Sequence, residues 1–133
     1  MNYAITPSID GHYIILTVSG ETNRKIAMQH NREAHALGRK LGVSRYLVDV
    51  REAINTDSIV ENYDFAYKDM SETENIDRLA RVAILSSPED HSHDFIETVT
   101  RNSGLNVKLF NDPELARLFL TDEESLNKSP QEE

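Results

Sequence analysis

The sequence predicts an α/β protein: one mixed, mostly parallel sheet with helices packed on it and an antiparallel hairpin at one edge. Three observations carry this. Two short β-type runs stand on either side of Asp10-Gly11. From about residue 21 onward, segments of helical period alternate with short apolar runs, the signature of strands joined through crossover helices. The chain of 133 residues is long enough to build one core without a metal or disulfide staple.

Taken in order, residues 3–9 and 12–18 read as strands, and Asp10-Gly11 between them suits a type I′ turn. Pro7 assigns the first strand to a sheet edge, where its missing N–H is harmless. Residues 21–41 carry a helical period, with Ile26, Ala27, His30, Ala34, Leu37 and Leu41 on one arc, and Gly42 follows as the terminating residue. Tyr46-Leu47-Val48-Asp49-Val50 reads as a buried strand. Residues 58–70 form a second helix with Ile59, Tyr63, Tyr67 and Met70 on its apolar stripe. Val82-Ala83-Ile84-Leu85 is the next strand. Ser87-Pro88 then opens a helix reaching about residue 102, with Ser87 as its cap and Pro88 in the first turn. Residues 107–110 make the last strand, and Asp112-Pro113 starts a final helix carrying Leu115, Leu118 and Phe119. The predicted order is ββαβαβαβα. The folded domain spans residues 1–120, and residues 121–133, with five acids against Lys128, read as an acidic, solvated and flexible tail.

Composition narrows the function classes. A net charge of −9 counts against nucleic acid, whose binding rests on Lys and Arg neutralising phosphates. No apolar run is long enough to span a membrane. With Cys 0, thiolate catalysis and sulfur-ligated zinc are excluded, and with no signal-peptide pattern the expected location is the cytoplasm. The charge is uneven: residues 24–51 carry +5 and residues 52–77 carry −7, a polarity able to steer a complementary partner.

Element order over residues 1–120 resembles the SpoIIAA-like branch of the STAS fold, the domain type of sulfate transporters and anti-sigma factor antagonists. Two stretches carry the resemblance: Tyr46-Leu47-Val48-Asp49-Val50-Arg51 with Tyr63 to Tyr67 after it, and Glu97-Thr98-Val99-Thr100-Arg101-Asn102-Ser103-Gly104 running into Val107-Lys108-Leu109-Phe110. The resemblance implies a bacterial cytoplasmic protein and a fold also similar to lipid-binding CRAL-TRIO domains. It implies no particular activity, which must be argued from a site. In the antagonists, a serine of an Asp-Ser-Ser-Gly stretch after the equivalent of the Tyr46 strand accepts phosphate. Here the neighbourhood is Asn55-Thr56-Asp57-Ser58-Ile59-Val60, which keeps the Asp-Ser pair alone, so Ser58 is the candidate phosphoacceptor. Ser58 with Glu61 also fits a capping box, and the acidic surroundings disfavour a dianion.

Other candidates come from position and type. Asp49 and Arg51, with Ser86 and Ser87 at the end of the neighbouring strand, lie at the carboxyl ends of strands, where open α/β sheets place ligands. Arg51 can hold an anion or simply pair with Asp49. Asp90, His93, Asp94 and Glu97 share one helix face at metal-ligand spacing. Their opposite face is apolar, so they read as a solvated arc and no metal or cofactor is expected. His30, mid-stripe on the first helix, reads as a core histidine. Phe65 projects away from the stripe of its helix and is the candidate interface residue. No nucleophile elbow, phosphate loop or dinucleotide fingerprint occurs. The expectation is a non-catalytic regulatory or protein-interaction module, bound to a protein partner or to itself as a homodimer. The alternatives are a carrier of a small or lipid-type ligand using the rim near Arg51 and Ser86, and an enzyme with an unrecognised site.

Overall fold

The computed structural model describes residues 2–55, 80–90 and 106–121, except the side chains of residues 2, 24 and 55. The helix expected at residues 58–70 lies outside the described residues, as does all but the first turn of the helix expected at 88–102. Five strands form one sheet in the order β1-β2-β3-β4-β5: β1 (Asn2–Pro7), β2 (Ile14–Thr22), β3 (Arg45–Asn55), β4 (Arg81–Leu85) and β5 (Asn106–Phe110). β1 is antiparallel to β2 and every other pairing is parallel. Helix α1 (Arg24–Leu41) joins β2 to β3, and α2 (Pro113–Thr121) follows β5. The mixed α/β class and the edge position of the Pro7 strand agree with the sequence reading.

Alternation along the strands divides the core into two layers. On one face Leu16, Val18, Val50 and Ile84 pack with Met28 of α1, and Ile14 and Tyr46 pack with Ala34. On the other face Ala83 packs with Ala116 and Leu120 of α2, flanked by Tyr13, Leu47, Phe110 and Phe119. Helices on both faces give this sheet its buried centre.

Three local expectations are corrected. The hairpin is not a two-residue type I′ turn. Six residues separate Pro7 from Ile14, which face each other across the hairpin. Gly11 has φ 75, while no non-glycine residue has positive φ, so Asp10 does not adopt the conformation that a type I′ turn requires at both centres. Instead Gly11 N–H donates to Ser8 O at 3.0 Å, and the Asp10 carboxylate accepts from Ser8 Oγ at 2.7 Å and from His12 N–H at 3.0 Å. These bonds favour an Asx-type loop, which buries Ser8 and leaves Ile9 at its exposed tip.

β2 and β3 run well past their expected ends at residues 18 and 50. Ser19 to Thr22 pair with Glu52 to Asn55, so each strand's polar end satisfies the other's backbone. Between Thr17↔Asp49 and Ser19↔Glu52 the register shifts, and Val50 and Arg51 together oppose Val18: a β-bulge beside the rim.

The buried arc of α1 is turned from the apolar stripe. His30 and Ala34 are buried as expected, but so are Met28, His35 and Gly38, while Leu41 is 48% exposed. At 100° per residue this is a rotation of roughly 70°. The cause is close contact at Gly38, where an added Cβ would lie 2.7 Å from Val43 O and closer still to the Tyr46 hydroxyl. The helix therefore seats its small residues and His35 on the sheet. Gly42 ends it in the left-handed conformation, φ 70 and ψ 31, as read from the sequence.

Candidate functional site

The candidate rim is built where β3 outruns β4. The parallel ladder between them ends at Asp49↔Leu85, and Arg51 and Ser86 follow just beyond it. Residues two apart on a strand share a face, and the bulge brings the Arg51 guanidinium onto its own Asp49. Arg51 Nε donates to Asp49 Oδ1 at 3.0 Å and Nη2 to Oδ2 at 2.7 Å, and the Arg51 backbone N–H adds a third contact to Oδ1 at 3.2 Å. Hydrogen bonding to Asp49 holds the guanidinium's pKa above its ordinary value. Two-pronged pairing of this kind is the geometry by which Arg would otherwise hold an external carboxylate or phosphate.

Ser86 is 1% exposed and turned the other way. Alternation from Val82 and Ile84 directs it toward the α1 face, opposite Leu85 and the Asp49 with which Leu85 pairs. Its hydroxyl donates to Asn111 Oδ1 at 3.2 Å and its N–H to Phe110 O at 2.9 Å, so it ties β4 to the end of β5. Ser87 is half-buried and its carbonyl accepts from Asp90 N–H at 3.2 Å, a turn at the position where the sequence placed a helix start. Asp49 and Arg51 are thus brought together, while Ser86 and Ser87 form a separate set. Ser58 and Phe65 lie outside the described residues, as do His93, Asp94 and Glu97. Among the described residues no group of three His, Asp or Glu could hold a metal ion, and no helix is long and apolar enough to cross a membrane.

Two histidine–tyrosine stacks attach α1 to the sheet. The buried His30 ring lies 4.0 Å from the Tyr3 ring of β1 at 29°, and the Tyr3 hydroxyl donates to both Glu33 carboxylate oxygens at 3.0 Å. Burial lowers the His30 pKa, against a weaker upward pull from Glu33. His35 stacks on Tyr46 of β3 at 4.2 Å and 14°. Tyr3 is far from His30 in sequence, and His35 lies off the apolar stripe. The one sequence signal for it is its seven-residue spacing from Met28, beside the small pair Ala34 and Gly38.

A hairpin-edged parallel sheet covered on both faces defines a mixed α/β protein. No family model matches the chain, and no curated protein matches it. Among solved structures, the chain is similar to an uncharacterized protein of the DUF3478 family from Shewanella loihica PV-4, which has a SpoIIAA-like fold. The two share 20% identity with a TM-score of 0.48 over 90% of this chain and 92% of that one.

Proposed function

We propose that the chain acts by binding, as a STAS-like regulatory or protein-interaction module that engages a protein partner or a second copy of itself. The rim carries the reading. The Arg51 guanidinium is held at both prongs by Asp49, and the Ser86 hydroxyl is committed to Asn111. By contrast, α2 buries Ala116 and Leu120 but presents Leu115 and Leu118, 53% and 45% exposed and one turn apart. Apolar side chains in such an arrangement suit the desolvated centre of a protein contact.

The test is affinity capture from native cells followed by intact-mass analysis, comparing the natural chain with Leu115→Asp/Leu118→Asp. The expected result is a stoichiometric protein, or a second copy, that the variant loses while its circular dichroism is unchanged. Capture of the same protein by both would end the reading for this surface. A one-to-one small molecule retained by both chains would favour the carrier.

A further inference from the structure

β1 is an outer strand of the sheet, and its far side is open to solvent. Tyr3, Ala4, Thr6 and Pro7 are exposed, while Ile5 is half-buried against the α1 layer. The direction of its outward backbone groups follows from the hairpin. Ser8 and Tyr13 continue the register of β1 with β2, and Ser8 N–H donates to Tyr13 O at 2.8 Å, so the Ser8 backbone faces β2. In an antiparallel ladder this direction alternates along the strand. Ala4 and Thr6 therefore also turn their backbone groups to β2, and the N–H and C=O of Tyr3 and Ile5 point outward. Pro7, with no N–H to offer, stands at the next outward position.

Natural sheets blunt such an edge with charge, and β5 at the opposite edge carries the exposed Lys108. β1 reads Asn2-Tyr3-Ala4-Ile5-Thr6-Pro7, without a charged residue. The strand is also complementary to itself. Placed antiparallel across a two-fold axis at Ala4, Tyr3 of one copy faces Ile5 of the other, and the two exchange their outward N–H and C=O groups. Each such pair sets an aromatic ring beside a β-branched side chain, a favoured cross-strand combination. Ala4 meets its own counterpart at a non-hydrogen-bonded position, where strands approach most closely and a small side chain fits. Pro7 falls beyond the Tyr3 and Ile5 pairs, so its missing N–H is not needed. The Tyr3 ring is already held by its stack on His30 and by Glu33, so covering it costs little side-chain freedom. Charge favours the same occupant: copies of a chain with net charge −9 repel each other, and an uncharged strand is a place where they can meet.

We propose that the open edge of β1 binds the same strand of a second copy, antiparallel and centred on Ala4, joining the two sheets into one. The contact is narrow, so the dimer is weak and its population rises with concentration. The two-fold axis runs perpendicular to the joined sheet, which places α1 of both copies on the same face. This edge is separate from Leu115 and Leu118 on α2, so either surface can fail without the other.

Sedimentation velocity of the full chain over a range of concentrations tests this. The natural chain should pass from monomer to dimer as concentration rises, and Leu115→Asp/Leu118→Asp should do the same. Ala4→Lys sets two like charges directly opposite each other across the axis, on a side chain that is exposed in the single copy. It should stay monomeric throughout while its circular dichroism is unchanged. Cross-linking checks the register. The chain has no cysteine, so an introduced thiol is the only one present. At the axis the two Ala4 Cα atoms lie roughly 4.5 Å apart, within the span of a disulfide. Oxidised Ala4→Cys should therefore yield a covalent dimer, and Thr6→Cys, displaced along the strand from its own counterpart, should not. A natural chain that is monomeric at every concentration would overturn the proposal. So would an Ala4→Lys chain that still dimerises, or Thr6→Cys cross-linking as readily as Ala4→Cys.

Discussion

At the scale of single residues, two side chains on α1 carry more of the structure than their type suggests. Glycine in a helix interior is normally worse than alanine by about 1 kcal/mol. At Gly38 the order should reverse, because a Cβ there meets the backbone carbonyl of Val43 and the Tyr46 hydroxyl, which itself donates to Val43 O at 3.3 Å. Gly38→Ala is expected to destabilise by about 1–3 kcal/mol in urea denaturation, the usual range for overpacking. A midpoint that is unchanged or raised would contradict the close contact. His30 gives a pH prediction. Its folded pKa lies below the unfolded value, so the unfolded chain binds more protons in the window between them. Stability from this group is complete above about pH 6.5 and declines as pH falls toward the folded value. Urea midpoints measured from about pH 8 to about pH 5 should fall, and His30→Phe should flatten that fall. The same slope in both chains would remove His30 as the cause. The sequence placed His30 in the core correctly. Its stacking partner Tyr3 was illegible because the pair joins strand to helix across a separation that no local pattern covers.

At the scale of elements, local chemistry fixed the ends of α1 and tertiary contact fixed its rotation. Asn23 Oδ1 accepts from Ile26 N–H at 3.0 Å, the cap of a helix whose first turn has no acid. With no carboxylate at the positive end of its macrodipole, this helix relies on its cap. Asn23→Ala is expected to lower stability by about 1 kcal/mol, with the loss concentrated in amide protection of the first turn. Uniform loss across the sheet would point to a different cause. Gly42 was legible as a stop because a left-handed C-terminal residue is a local requirement. The rotation was not, since a stripe of Leu and Ile outweighs Gly38 and His35 in any hydrophobic count while the sheet surface selects for close approach. The extension of β2 and β3 was hidden for a related reason: Ser19 to Thr22 and Glu52 to Asn55 are polar, and they are strands because they pair with each other.

At the scale of the whole molecule, the layering makes a contrast that can be measured. Leu120 is 1% exposed against Ala83 and Ala116, whereas Leu118 on the same helix is 45% exposed. Leu120→Ala should cost about 2–5 kcal/mol. Leu118→Ala should stay within about 0.5 kcal/mol, as surface substitutions do. Similar losses at both would mean that α2 does not lie on the sheet as described. The mixed α/β class, the mostly parallel sense of the sheet and the edge position of the Pro7 strand were legible in the chain. They depend on hydrophobic period, proline and turn residues, which act within a few positions. Whether Arg51 faces a ligand or Asp49, which face Ser86 takes, and the bulge at Val50 and Arg51 depend on register. Register is a relation between strands. A one-residue shift exchanges every face of a strand, and no window of the sequence contains both partners.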